Sequence, residues 1–265
     1  MKIYEIADEE STRSVGILVY YEKARSFIIE LQEYLDEWTA PLLFAGYVKR
    51  GIYTIPREVC LMWVKERVIP GSRQNIESIL SRHRLREYDE MRFLEISEGR
   101  CSHDSLYIRR INKLPEYAAV RARRNLKECV PLKDHCLLCI FCDGTVKKAE
   151  LGRLSDIRDM DKVLRNEDLY LSCRIGPGGY SATFNDSIDI PASVLYSAEV
   201  TVPLCADDFV TFVQRGIVDT AESCDLLECS RQNLSYMINH EQLLPVKKSV
   251  KGNLYTMGDV ISNTW

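Results

Sequence analysis

The sequence lacks any long uninterrupted run of apolar residues. A helix that crosses a membrane needs about 18 or more consecutive apolar residues, and no stretch here approaches that length. A secretory leader is not indicated either, because acidic residues that begin with Glu5 stand where its apolar segment would lie. We therefore expect a cytoplasmic protein without a membrane partner.

Proline and glycine are sparse, at 9 and 13 of 265 residues. Hydrophobic residues make up 46% of the chain and charged residues 28%, a composition that excludes wholesale disorder and allows buried cores. The length is about twice the commonest domain size, so two or three compact units are expected.

A large excess of positive charge is also absent, since the net charge is −4 at pH 7. This excludes a protein that holds nucleic acid by bulk charge, and any basic contact must be local. The 10 cysteines are too few for a disulfide scaffold. Several lie in apolar runs, where a reduced thiol behaves as a small hydrophobic group.

The first part of the chain predicts an α+β domain over residues 1–114. Two β-rich runs, residues 14–22 and 26–31, surround a short polar turn and predict a hairpin. Residues 37–49 and 57–68 then place apolar side chains at intervals of three and four, which is helical spacing.

The middle of the chain predicts a small α+β domain with two hairpins over residues 115–204. The first hairpin joins residues 136–142 and 146–151 through an Asp-Gly pair. The second joins residues 169–175 and 180–184 through a glycine-rich turn.

A set of spaced motifs in this middle part resembles the family called domain of unknown function 2442. The resemblance implies a small α+β unit that occurs alone or fused to a helix-turn-helix, and it implies no catalytic residues. The motifs are Val130-Pro131-Leu132, residues 138–144, Glu150-Leu151, Gly178-Gly179, Asp189-Ile190 and Leu195-Tyr196.

The last part, residues 205–265, predicts two short helices after a linker over residues 193–208. Asp219 or Thr220 can cap the first helix and Ser230 the second. Because the segment has its own caps and apolar faces, it is expected to fold alone. The expected inward-facing residues are Ala221, Cys224 and Leu227 on the first helix and Leu234, Met237 and Ile238 on the second.

The outward face of the second helix carries side chains suited to reading the DNA major groove. Arginine pairs with guanine and Asn or Gln with adenine. After the helix, a predicted β-hairpin brings lysines that can meet phosphates. The predicted DNA-binding residues are Ser230, Arg231, Gln232, Asn233, Ser235, Tyr236, Asn239, Lys247, Lys248, Lys251 and Asn253.

This segment is similar to the winged helix-turn-helix of the excisionase and MerR type, and the resemblance depends on residues 221–232. It implies a DNA-binding regulator or an excisionase-like architectural factor, with double-stranded DNA as the partner. Two residues depart from the usual pattern: Glu228 stands at the turn glycine and Cys229 at the usual valine. A glutamate where φ must be positive costs about 1 kcal/mol.

Charge supports a rival interpretation of the same segment. Residues 206–265 hold five Lys and Arg against eight Asp and Glu, a net charge of −3. The alternative is therefore a protein-docking module, or an antitoxin-like partner protein. If the segment does bind DNA, useful affinity implies two copies on adjacent half-sites, as in a homodimer. The first two domains would then sense, dimerise or dock a protein partner.

Sites for metals, cofactors or catalysis are not predicted. Cys136, Cys139 and Cys142 follow His135 at short spacing, but strand alternation sends Cys139 to the opposite face from the other two. Residues 101–104 gather nucleophile-like side chains without a base placed by the fold. The sequence thus favours a binding protein over an enzyme.

Overall fold

The computed structural model describes residues 1–154, 157–198, 203–249 and 252–265. Within them the chain is mixed α+β, so the predicted fold class is confirmed. The chain divides into two compact units, Met1–Ala118 and Ala119–Trp265. The finer division into three domains stays a prediction. Across the described ranges, no helix is long and apolar enough to cross a membrane.

The first unit is built on an antiparallel sheet with the strand order β4-β3-β2-β1-β5. The predicted hairpin is confirmed, since β2 and β3 pair antiparallel from Gly16 opposite Leu31 to Tyr21 opposite Ser26. The strands are β1 (Lys2–Asp8), β2 (Ser14–Tyr21), β3 (Ser26–Leu31), β4 (Thr54–Ile55) and β5 (Leu106–Ile111).

Helices of the first unit pack on this sheet around a core that includes Phe44 and Trp63. Both predicted helices are present but shorter than expected. The first begins only after Pro41, because the Asp36 carboxylate accepts the backbone N–H groups of Trp38 and Thr39 and forms a turn there instead. The helices are α1 (Leu42–Val48), α2 (Arg57–Lys65), α3 (Ile76–Arg82) and α4 (Glu90–Ile96), and α5 (Glu116–Ala122) spans the boundary of the units.

The second unit begins with two small antiparallel sheets, ordered β6-β7-β8 and β11-β10-β9. Both predicted hairpins are confirmed, as β7 pairs with β8 and β9 with β10. The elements are β6 (Leu126–Pro131), β7 (Cys136–Phe141), β8 (Val146–Glu150), α6 (Met160–Arg165), α7 (Glu167–Leu171), β9 (Cys173–Ile175), β10 (Ser181–Phe184), β11 (Ile188–Pro191) and α8 (Ala192–Ser197).

One predicted strand in this region is wrong in its first half. Residues 169–171 belong to helix α7, and only the last three residues of the predicted run 169–175 form β9. The Asn166 side chain accepts the N–H of Leu169 and caps the helix, so this local hydrogen bond outweighs the β-rich composition.

The two faces of the β6-β7-β8 sheet bury different residues. Cys139 lies in the large core shared with β9, β10 and β11, whereas Cys136 lies in a small cluster on the opposite face. The predicted alternation of these two cysteines is confirmed. Cys142 follows the end of β7 and is exposed.

The remaining elements form the C-terminal module, a name kept here for residues 205–265. The predicted linker over 193–208 is wrong in its bounds, because its two ends belong to α8 and to the first turn of α9. The elements of the module are α9 (Ala206–Gly216), β12 (Ile217–Val218), α10 (Thr220–Leu226), α11 (Arg231–Asn239), β13 (Lys247–Ser249), β14 (Gly252–Thr256) and α12 (Met257–Ser262).

Candidate nucleic-acid interface

The caps predicted for α10 and α11 are present. The Asp219 carboxylate accepts the N–H groups of Ala221 and Glu222 at 2.7 and 2.9 Å. Glu222 in turn accepts the Asp219 N–H at 2.8 Å, which completes a capping box. The Ser230 hydroxyl accepts the Asn233 N–H at 3.3 Å. Ser230 therefore fixes where α11 begins.

The turn between α10 and α11 contains the left-handed residue that the sequence indicated. Glu228 has φ = 49°. The Cys229 N–H donates to the Cys224 carbonyl at 3.0 Å, and the Glu228 N–H donates to the Asp225 carbonyl at 3.2 Å. This arrangement ends α10 as glycine usually does, so Glu228 carries the strain of an L-residue at such a position.

A small core holds the helix pair against the β-hairpin. It centres on Leu234 and Tyr255, both almost fully buried. The expected inward position of Ala221 is wrong, because Ala221 is exposed and Ser223 is fully buried in its place. Ser223 can be buried because its hydroxyl donates to the Asp219 carbonyl at 2.6 Å, which leaves the hydroxyl no unmet donor.

The outward face of α11 is exposed as predicted. The Ser235 hydroxyl donates to the Arg231 carbonyl at 2.9 Å, so it is partly engaged within the helix. The Tyr236 ring stacks on the His240 ring with centroids 3.8 Å apart. The exposed residues of this face are Arg231, Gln232, Asn233, Ser235, Tyr236 and Asn239.

The predicted hairpin is present as β13 and β14, with Lys247 opposite Leu254 and Lys248 opposite Asn253. Both lysines are exposed. Asn253 is half-buried, and its amide donates to the Tyr255 hydroxyl at 3.2 Å. Asn253 therefore already has a role inside the hairpin. Lys251, the third predicted lysine, lies outside the described residues.

Three acids of the module form ion pairs with lysines of the β6-β7-β8 region. Asp208 meets Lys148 at 2.9 Å, and this pair is nearly buried. Two more exposed pairs, Lys133–Asp207 at 3.2 Å and Lys127–Asp259 at 3.5 Å, add to it. Burial raises the Asp208 pKa, but Lys148 and the Cys205 backbone N–H outweigh burial and hold that pKa below its ordinary value.

The cations that are proposed to contact DNA differ from these acids in their ion pairing. In the described part of the chain, neither Arg231 on α11 nor Lys247 and Lys248 on β13 has an ion-pair partner. Eight acids face five Lys and Arg in the module sequence, and the three paired with outside lysines leave five. When the three paired acids are left out of the count, the net charge of the module is therefore near zero rather than −3.

The module packs on the β6-β7-β8 sheet through the small cluster on one face and the large core on the other. Phe212 of α9 packs on the small cluster there, which includes Val130 and Leu138. The Arg215 guanidinium donates to the Pro131 carbonyl at 2.9 Å. From α12, Ile261 joins the large core of the two sheets. These contacts hold α9 and α12 on the central region, a name used for residues 119–204 of the second unit.

The other side chains considered for chemistry, in residues 101–104 and on β7, have structural roles. Asp104 pairs with Arg67 and accepts the Leu106 N–H at 3.1 Å, so it holds a loop in place. The hydrogen bond with Cys129, together with burial, raises the pKa of the Cys139 thiol above its ordinary value, the opposite of what a reactive thiolate requires. Over the described residues, no group of three or more His, Cys, Asp or Glu could hold a metal ion.

Several contributors to this surface were not foreseen in the sequence. His240 was missed, although its spacing of four from Tyr236 is the distance at which helical side chains meet. The lysines that neutralise the module's acids come from far along the chain, so no local pattern marks them. Glu128, which is buried on β6 and so is not part of this surface, was missed too, although it is the single acid among the mostly apolar residues 126–132.

Comparison with known proteins adds no family to this description. No protein-family model matches the chain, and neither the curated proteins nor the solved structures include a match to it. The resemblances of the central region and of the C-terminal module therefore stay predictions.

Proposed function

We propose that this chain is a cytoplasmic DNA-binding protein, a transcriptional regulator or an excisionase-like architectural factor. In this proposal the C-terminal module is a winged helix-turn-helix. Helix α11 enters the major groove of double-stranded DNA, and the β13-β14 hairpin lies along the backbone. The resemblance of residues 221–232 to the excisionase and MerR type supports this function.

The observation that carries the proposal is the division of charge in the module. Three acids are paired with lysines of the central region, whereas Arg231, Lys247 and Lys248 are exposed without an ion-pair partner within the described ranges. Exposed cations without ion-pair partners are what a phosphate backbone attracts. The internal ion pairs reduce the repulsion that a net charge of −3 would otherwise cause.

The residues divide into two roles. Arg231, Gln232 and Asn233 stand on the first turn of α11, where side chains of a recognition helix reach base edges. Lys247 and Lys248, together with Lys251, would contact phosphates and so hold the orientation without reading sequence. Ser230 serves as the cap that sets the start of the helix.

The alternative is that the module docks a protein, as an antitoxin-like partner would. One observation favours it: the outward face of α9 exposes Phe209, Val210 and Val213, with Phe209 70% exposed. Exposed apolar patches often mark protein contacts. In the DNA-binding proposal, this face of α9 is available to a second copy or to another protein partner. The first unit and the central region would then sense, dimerise or dock a protein partner.

The test starts with selection of a preferred duplex from a randomised library by the purified full-length protein. Binding of that duplex and of a scrambled one is then measured at several salt concentrations. Arg231→Ala should cost about 1–3 kcal/mol on the preferred site and relax the preference at one base pair. Lys247→Ala should weaken binding to both duplexes equally. It should also reduce the slope of the logarithm of the association constant against the logarithm of the salt concentration by about one.

Lys162→Ala is the matched control, because it removes the same charge from α6, outside the proposed interface. It should leave binding unchanged. Recovery of no preferred sequence, or equal effects of Arg231→Ala and Lys162→Ala, would favour the protein-docking alternative.

A further inference from the structure

Glu128 is a buried carboxylate at the junction between the β6-β7-β8 sheet, called the central sheet below, and the C-terminal module. It lies on β6 and is only 4% exposed. Its Oε2 accepts the N–H of Gly258 on α12 at 2.5 Å, and its Oε1 accepts the N–H of Cys129 at 3.3 Å. Burying a carboxylate is costly unless a cation accompanies it.

No cation contacts Glu128 anywhere in the described ranges. The adjacent Lys127 is turned to Asp259, with its Nζ 3.5 Å from that carboxylate. Other charged and titratable groups on the packed elements are Cys129 beside it on β6, Cys139 on β7, Cys173 on β9, Asp259 on α12 and Arg215 on α9, whose guanidinium donates to a backbone carbonyl.

The contact with α12 leaves no spare room. A Cβ on residue 258 would lie 2.2 Å from the Lys127 carbonyl oxygen and 2.6 Å from the Glu128 Oε2. Only glycine allows α12 to approach β6 so closely. Since α12 directly follows β14, any loosening of this contact reaches the β13-β14 hairpin through one continuous segment.

We propose that Glu128 is a proton-sensitive contact that sets how firmly α12, and the hairpin that precedes it, are held on the central sheet. The neutral acid fits the buried junction, and the ionised carboxylate is poorly solvated there. Loss of the proton therefore favours a state in which α12 separates from β6 and water reaches the carboxylate. The inference does not depend on DNA binding.

The direction of the pH effect follows from burial. Burial raises the pKa of Glu128 from 4.5 to about 7, and the N–H groups of Gly258 and Cys129 only partly oppose this rise. The docked state therefore holds a proton that the open state releases in this range. As pH rises from about 5 to 7, the opening equilibrium should increase roughly tenfold per pH unit, and above 7 it should level off.

The experiment is amide hydrogen exchange on the full chain from pH 5 to 8, corrected for the intrinsic pH dependence of exchange. Amides of α12 and β14 should lose protection up to pH 7 in the wild type, while amides of β10 serve as an internal reference. In Glu128→Gln, which keeps an acceptor oxygen but cannot ionise, this loss should be absent.

Protection of α12 that is independent of pH in the wild type, or that falls equally in Glu128→Gln, would overturn the proposal. If that variant does not fold, the wild-type chemical shift of the Gly258 amide replaces it. This amide donates to the carboxylate and should titrate with a midpoint near 7. A midpoint below 5 would also overturn it.

Discussion

Replacing Glu228 by glycine should stabilise the protein. Glu228 has φ = 49° in the turn between α10 and α11. An L-residue in the left-handed region costs about 1–2 kcal/mol relative to a relaxed conformation. Glycine avoids this steric cost but loses about 0.5–1 kcal/mol more chain entropy than alanine on folding. The middle values of these two ranges give an expected net gain in unfolding free energy of about 0.75 kcal/mol.

Urea unfolding followed by circular dichroism would measure this gain, since a stabilising change moves the midpoint without changing the slope. The matched variant is Glu228→Ala, which removes the same carboxylate but keeps the Cβ and its strain. It should not stabilise. Glu241 has φ = 57° at the end of α11, so Glu241→Gly should also stabilise. An unchanged or lowered midpoint for Glu228→Gly would refute the assignment of strain to this turn.

Three further predictions concern the cap of α11, the buried cysteines and the docking of the module. Ser230→Ala should lower the unfolding free energy by about 1 kcal/mol because it removes the cap of α11; in urea unfolding, Ser235→Ala is the control, and an equal loss from both would contradict the capping role. Titration of the native protein with a thiol reagent should leave five of the ten cysteines unreacted, since five are buried; rapid reaction of all ten would contradict the described core. Residues 206–265 expressed alone should melt at a lower temperature than the module in the full chain, because Ile261 and Phe212 lose their partners in the central region; an equal melting temperature would contradict the docking.

The parts of the site that the sequence predicted are those set by local chemistry. Asp219 and Ser230 cap the helices because their side chains satisfy backbone N–H groups two or three residues away. The positive φ of Glu228 agrees with its place at the turn glycine of the pattern that residues 221–232 resemble. The hairpins of the first unit and of the central region likewise follow from short turns between β-rich runs.

The parts that the sequence did not predict depend on partners far along the chain. The contacts between the module and the central region were not foreseen: Lys148 meets Asp208 across 60 residues, and Glu128 meets Gly258 across 130. Contacts between residues so far apart produce no periodic pattern in the sequence. The burial of Ser223 instead of Ala221 has a local cause that a pattern of apolar residues does not reveal, since the Asp219 carbonyl four residues earlier accepts the Ser223 hydroxyl proton.

The central claim is that α11 and the β13-β14 hairpin contact DNA, and the salt dependence of binding tests it most directly. The observed association constant of the full-length protein for the selected duplex is measured across a range of salt concentrations. Each phosphate that is neutralised contributes about −0.9 to the slope of the logarithmic plot. Three lysines per copy predict a slope of roughly −3 for one copy and about twice that for two copies on adjacent half-sites. The absence of any salt-dependent binding to duplex DNA at micromolar protein would contradict the claim.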